Sequence, residues 1–321
     1  MKKISFFLVL ILLSLCFVSC TEKNSLNFEE KPKIALVLKM NTGYHWGTIK
    51  QGADTAAREF NVNLYFYAPL QEEDVQVQID LVNQALDENV DALILAASDY
   101  KQLVEVTEKA YNKKIPVILI ESLVDTDKIH SYIATDNIEA GRKAGNTLVE
   151  IAGTECNVAI MNFIKGTSSA DDREKGLLEV IGLYPSINVV AKEYCFSNLN
   201  RAINLTREII ANNENLDAII ALNSVSSEGV AQAVEELGLG GKIKIIAFDS
   251  TINEIEYLEE GIIHATIIQN PFAMGYLGVK YAVEMLNGNK IESYYTTETK
   301  VITKENMYLQ ENQKLLFPFI K

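Results

Sequence analysis

Three polar side chains stand where an apolar run would be expected simply to stop. Asn223 follows the run 218–222, Asp249 follows 243–248, and Gln269 closes 265–269. A polar group in such a place must find a partner or bear a desolvation cost. Five further side chains hold comparable positions. His45 and Trp46 follow the first apolar run, Glu121 follows the fourth, and Arg173 and Phe196 come after the first and second runs of the second half. Carboxylate, amide and guanidinium groups bind hydroxyls in pairs, and flat rings cover CH faces. The set suits a small polyhydroxylated ligand. Four members also have a plainer reading, among them Trp46 as helix-start packing, His45 as a surface histidine, and Asp249 as the N-cap of a helix at 251–259. Arg173 has neighbouring acids with which it could pair on a solvated face.

The same sequence lacks the spacings that catalysis needs. No G-x-G-x-x-G follows the first apolar run, and neither a P-loop nor a G-x-S-x-G elbow occurs. His45, His130 and His264 are scattered without metal-ligand spacing. Glu121 and Asp249 would make an acid–base pair for glycoside cleavage, but no positioned nucleophile or loop motif supports them. The expectation is a binding protein, not an enzyme, with no cofactor and no metal.

The elements that must position these residues alternate from Lys33 onward. Short β-branched runs are separated by amphipathic stretches, the pattern of parallel strands covered by helices. Strands are predicted at 33–39, 62–67, 92–96, 117–120 and 132–134. A second set is predicted at 158–163, 188–195, 218–222, 243–248 and 265–269. The halves repeat one another: Asn89-Val90-Asp91-Ala92 and Asn215-Leu216-Asp217-Ala218 both place an apolar-Asp-Ala step into a buried strand. The fold class is therefore α/β, as two doubly wound parallel-sheet lobes; one ten-stranded sheet would be unusually wide. Ligands of open α/β sheets lie beyond the carboxyl ends of the strands, where the eight side chains stand. Cys156 and Cys195 fall at opposite ends of neighbouring strands, too far apart for a disulfide.

The N-terminus reads as an export signal. Lys2 and Lys3 precede an apolar stretch from Ile4 to Leu15, which is shorter than the roughly 20 residues of a membrane span. It ends in Phe17-Val18-Ser19-Cys20, similar to a lipobox, so Cys20 is the expected lipidation site; ordinary cleavage near Ser19 is the alternative. Loss of the two lysines takes the formal charge from -14 to -16. So acidic a chain, with no basic stripe, excludes nucleic acid and electrostatic binding to an anionic membrane.

Taken in order, several stretches carry a resemblance. They include Ile34-Ala35-Leu36-Val37, Gln51-Gly52-Ala53, Ile115-Pro116-Val117-Ile118 and Ala134-Thr135-Asp136-Asn137. Later come Gly166-Thr167-Ser168-Ser169, Arg173-Glu174-Lys175-Gly176, Ala247-Phe248-Asp249 and Ala265-Thr266-Ile267-Ile268-Gln269-Asn270-Pro271. From about Lys33 to Met307 the chain resembles the type I periplasmic sugar-binding proteins of ABC importers, the ribose- and galactose-binding group. The resemblance implies a three-crossover hinge, near Thr135, Gln269 and Thr299, and closure of the lobes around a ligand. It implies a signal peptide at 1–19, a lipidated Cys20 and tether at 20–32, and an N-terminal lobe of 33–135 plus 270–298. The C-terminal lobe is 136–269 plus 299–308, followed by a tail at 309–321. Residue by residue, it matches His45 and Trp46 to a pair of ligand-covering aromatics. Arg173, Asn223, Asp249 and Gln269 match polar ligands, and Phe196 falls within one position of another aromatic. The family's Asp-Arg pair after the fourth strand is Glu121-Ser122 here, and its first-loop asparagine is replaced around Thr42-Gly43, which puts ribose itself in doubt. The implied partners are a small-molecule ligand, a sugar, and an ABC permease. The implied state is a monomer held at the membrane by its lipid alone, at the outer face of the cytoplasmic membrane or in the periplasm. A sensor whose closed form engages a membrane receptor or kinase is the alternative. Repressors that share the effector fold carry a helix-turn-helix where this chain has its export segment. The apolar tail, with Leu315-Leu316-Phe317, is expected to pack on the first lobe, with contact to a partner as the alternative.

Overall fold

The computed structural model describes residues 30–317; the export segment with Cys20, and residues 318–321, lie outside the described residues. The first half runs β1 (Lys33–Val37), α1 (Tyr44–Glu59), β2 (Asn63–Tyr67), α2 (Val75–Asp87), β3 (Ala92–Leu95), α3 (Val104–Asn112), β4 (Val117–Ile120) and β5 (Ser131–Thr135). The second runs α4 (Asn137–Ala152), β6 (Cys156–Asn162), α5 (Ser168–Ile181), β7 (Ile187–Tyr194), α6 (Leu199–Asn212), β8 (Ala218–Ala221), α7 (Ser224–Glu236), β9 (Lys244–Phe248), α8 (Ile252–Glu260) and β10 (Ala265–Ile268). Then come α9 (Pro271–Leu286), β11 (Tyr294–Thr297), β12 (Lys300–Thr303) and α10 (Gln310–Leu316).

The strands form two separate sheets, ordered β11-β5-β4-β3-β1-β2 and β12-β10-β9-β8-β6-β7. Central strands such as Ala92–Leu95 and Val117–Ile120 are buried along their whole length, because helices cover both faces. Edge strand β2 alternates in exposure instead. The chain passes from one sheet to the other three times: after β5, after β10, and between β11 and β12.

Two expectations are corrected. Each sheet has a sixth strand, drawn from residues 294–303, where sequence shows no apolar run. Tyr294 and Tyr295 are exposed at the edge of the first sheet, so nothing in their hydropathy marks a strand. Strand β12 is also antiparallel to β10, while the other pairings of both sheets are parallel. The described part of the tail, residues 309–317, packs on the second lobe instead of the first. Leu316 is fully buried in the core of the second, with Ile302 and Met307, and Leu315 and Phe317 lean on the same cluster. Cys156 and Cys195 are buried free thiols at opposite ends of the β6–β7 pair.

One packing contact reaches directly to the ligand-facing residues. Helices α4 and α5 touch backbone to backbone through Gly141 and Gly176. A Cβ at Gly176 would stand 1.9 Å from the carbonyl oxygen of Ile138, and one at Gly141 would stand 2.1 Å from that of Arg173. Glycine lets the two helices approach this closely. The approach fixes where Arg173 leaves its helix.

Candidate functional site

The carboxyl ends of both sheets face one another across a cleft, and a cavity lies between them. His45, Trp46, Glu121, Arg173, Asn223, Asp249 and Gln269 all line it. The free space inside it is small, about 30 Å³. Phe196 does not line it. That ring is 38 % exposed on the outer side of the cleft, stacked on Arg201 with the guanidinium carbon 4.5 Å from the ring centre. Its neighbour Ser197 lines the cavity instead.

In the second lobe each polar terminus is oriented by another. Arg173, 2 % exposed, donates from Nε to Asn137 Oδ1 at 2.9 Å and from Nη1 to the Leu222 carbonyl at 2.7 Å. Its guanidinium carbon stands 5.6 Å from the ring centre of Phe163 and 4.8 Å from that of Phe248. The surface-pair reading of Arg173 therefore fails. Asp249 is not a helix N-cap: Thr251 caps α8 in a capping box with Glu254. Asp249 sits at φ 77, a left-handed backbone rare for a residue with a side chain. Its Oδ2 accepts the Ser224 amide at 3.0 Å, and its Oδ1 accepts Gln269 Nε2 at 2.6 Å. Gln269 Oε1 accepts in turn from Thr135 Oγ1 at 3.0 Å, which ties the second and first hinge crossings together. Asn223 caps α7 with its Oδ1 and donates from Nδ2 to Ser197 Oγ at 3.1 Å.

The first lobe contributes charge. Glu121 is buried at φ 63, with Oε2 2.7 Å from Lys39 Nζ and accepting from Ser122 Oγ at 2.6 Å. Burial, the largest influence, would raise its carboxyl. The opposing charges of Lys39, His45 and Arg173, with the Lys39 hydrogen bond, outweigh it and hold the group at about 2. His45 is a buried residue, edge-on to Trp46, with Nδ1 3.8 Å from Asp249 Oδ1. Its Nε2 is buried without a hydrogen-bond partner. A buried polar atom left in that condition is one that a ligand can satisfy.

Lys39 and Glu72 were missed by sequence reasoning. Lys39 is fully buried and touches both lobes: besides Glu121 it donates to Ser122 Oγ at 2.6 Å and to Ser169 Oγ at 3.3 Å. Its signal was present, as a lone charge directly behind the apolar run 34–38. Glu72, in Gln71-Glu72-Glu73-Asp74, reads as part of a solvated acidic loop, yet it is 3 % exposed and bonded across the cleft to Ser197. Nothing in its local sequence separates it from its neighbours.

Comparison with known proteins agrees with this architecture. A periplasmic binding protein domain matches residues 34–290. The D-allose-binding periplasmic protein of Escherichia coli is 26 % identical over 265 residues, covering 80 % of this chain and 85 % of that protein. The ribose import binding protein of Salmonella typhimurium is 25 % identical, covering 88 % of this chain and 94 % of its own. Among solved structures, an ABC transporter solute-binding protein from Agrobacterium vitis with bound D-fucose superposes with a TM-score of 0.87 at 30 % identity. It spans 88 % of this chain and 99 % of its own.

Proposed function

The chain belongs to the periplasmic binding protein family, and from that premise we propose that it captures a neutral sugar between its lobes and delivers it to an ABC permease. The observation that carries the reading is the convergence of Arg173, Asn223, Asp249 and Gln269 with His45 and Trp46 on one cavity between the sheets. Asp249 and Glu121 accept hydrogen bonds from sugar hydroxyls there, and the guanidinium N–H groups of Arg173 not used by Asn137 and Leu222 donate to hydroxyl oxygens. The free Nε2 of His45 adds one more polar contact, and Trp46 offers a ring to the CH face of a sugar.

Charge narrows the ligand class. Glu72, Glu121 and Asp249 outnumber Lys39 and Arg173, and Lys39 is already bonded within the protein. An anionic sugar would meet unmatched carboxylates, so the site favours neutral polyols and sugars. Contacts from both lobes give such a ligand a higher affinity for the closed state, which is how binding drives closure. That one relative is a ribose import binding protein and one structural neighbour an ABC transporter solute-binding protein favours transport over sensing. Export, lipid attachment at Cys20 and a monomeric state complete the proposal, which assigns the protein binding and no catalysis.

The test is a thermal-shift panel of ribose, arabinose, allose, galactose, fucose and xylitol, followed by titration calorimetry of any hit. A ligand specific for the native state raises the melting temperature when present well above its dissociation constant. The shift should vanish in Asp249→Ala. No shift with any neutral sugar or polyol would refute the proposal, as would a hit that survives in that variant.

A further inference from the structure

The cavity has a neighbour. A broad groove runs along the same mouth of the cleft, lined by Leu70, Phe196, Asn198 and Asn204 among others. Met40, Glu72 and Ser197 line both spaces and so stand as the partition between them. Met40 and Glu72 come from the first lobe and Ser197 from the second, so the partition is completed only where the lobes meet.

Its closing contact is short and well supported. Ser197 Oγ donates to Glu72 Oε2 at 2.6 Å and receives a hydrogen bond from Asn223 Nδ2 at 3.1 Å. Lys39 Nζ stands 3.6 Å from Glu72 Oε1. Ser197 and Phe196 both have left-handed backbones, at φ 48 and 55. Two successive side-chain-bearing residues in that region persist only where their surroundings hold them. The pair of conformations turns Ser197 into the cavity and leaves Phe196 in the groove.

We propose that Glu72 is a length gate, a specificity-determining residue that confines the inner site to a ligand of one sugar ring. It sets a bonded carboxylate across the path that a glycosidic link would need in order to reach the groove. This rests on the reading of the inner cavity as a sugar site. Exclusion of this kind is selectivity by obstruction: the larger ligand is refused because it breaks a buried bond, not because contacts are lacking. The groove beyond has carbohydrate-compatible chemistry, with the Phe196 ring backed by Arg201 and the amides of Asn198 and Asn204 beside it. A second ring admitted past the gate would meet a surface it can use.

The experiment is titration calorimetry of the monosaccharide panel and of maltose, cellobiose, lactose, gentiobiose, sucrose and trehalose. The proteins are wild type, Glu72→Ala, Glu72→Gln and the double variant Met40→Ala/Glu72→Ala. Wild type should bind a monosaccharide and bind every disaccharide at least about a hundredfold more weakly, on the scale of a buried bond lost to the wrong ligand. Glu72→Ala or the double variant should gain about tenfold or more in affinity for a disaccharide containing that ring. Glu72→Gln, whose amide oxygen still accepts from Ser197, should keep the exclusion. Wild type that binds a disaccharide within tenfold of its monosaccharide overturns the gate. So do variants that weaken monosaccharide binding and admit no disaccharide, since Glu72 would then be a latch alone. Wild type that binds no sugar of either panel removes the sugar reading and the gate with it, whereas a monosaccharide binder whose variants gain nothing removes the gate alone.

Discussion

Lys39 Nζ and Glu121 Oε2 stand 2.7 Å apart at the carboxyl edge of the first sheet, and neither side chain is more than 5 % exposed. A buried pair is fragile when halved, because the remaining charge keeps its desolvation penalty and loses its compensation. Lys39→Met should therefore destabilise the protein by about 3–5 kcal/mol. Lys39→Met/Glu121→Leu, which removes both charges, should recover most of the loss. Urea midpoints decide it: a double variant no better than the single would show that the cost lies in packing or in Glu72, whose Oε1 stands 3.6 Å from Lys39 Nζ.

The same pair sets an acid limit. Glu121 has its carboxyl lowered from 4.5 to about 2 in the folded chain. A lowered carboxyl stabilises above its unfolded value, and the contribution is lost as pH falls through the folded one. The window is thus about pH 4.5 down to about 2, with about 3 kcal/mol at stake across it. Glu121→Gln should lack that part of the pH dependence. Parallel stability profiles for the two proteins between pH 5 and 2 would contradict it.

Helix contact and ligand contact are joined at Gly176. Its missing Cβ leaves room for the Ile138 carbonyl, and Arg173 lies one turn earlier on the same helix. Gly176→Ala must push α5 away from α4, at a cost of about 1–3 kcal/mol or more. The expected outcome is a lower melting temperature together with weaker ligand binding, since the guanidinium moves with its helix. Gly153→Ala, at a left-handed turn open to solvent, should lower stability without touching affinity.

Asn137 is the second determinant of Arg173. It accepts from Nε at 2.9 Å while its own Nδ2 donates to the Thr135 carbonyl. Asn137→Ala leaves a buried donor unpaired, a loss of about 1–3 kcal/mol that should appear partly as ligand affinity. Asn137→Asp, which still offers Nε an acceptor, should bind better than the alanine variant. Equal affinities for the two would show that the guanidinium is oriented without this residue.

How much of this was legible in the sequence depends on what burial makes visible. The inner strands announce themselves because both faces are covered, and the strand-end residues Asn223, Asp249 and Gln269 stand out against that apolar background. Strands β11 and β12 do not, since Tyr294 and Tyr295 lie exposed at a sheet edge. Phe196 misleads by one position, because two left-handed residues in a row reverse the outward and inward sense that strand alternation would give. Glu72 is invisible for another reason: its partner Ser197 lies 125 residues away in the other lobe. Local pattern encodes the elements, and the contacts made across the cleft are encoded in neither half alone.

Glu254 supplies a pH dependence of opposite sign. It is 1 % exposed, its Oε2 accepts the Thr251 amide at 2.7 Å, and its Oε1 has no partner. Burial first, then the negative charges of Asp249 and Glu228, raise its carboxyl well above 4.5, against the pull of the Thr251 bonds. A raised carboxyl contributes stability that is complete below its unfolded value and is lost as pH rises through the folded one. Glu254→Gln keeps an oxygen to cap Thr251 and removes the titration. The variant should gain in melting temperature relative to wild type on going from pH 4 to pH 8. Because Glu121 loses its contribution as pH falls and Glu254 loses its own as pH rises, wild type should be most stable between the two transitions. A wild-type-minus-variant difference that stays flat from pH 4 to pH 8 would show that Glu254 titrates as an ordinary carboxylate.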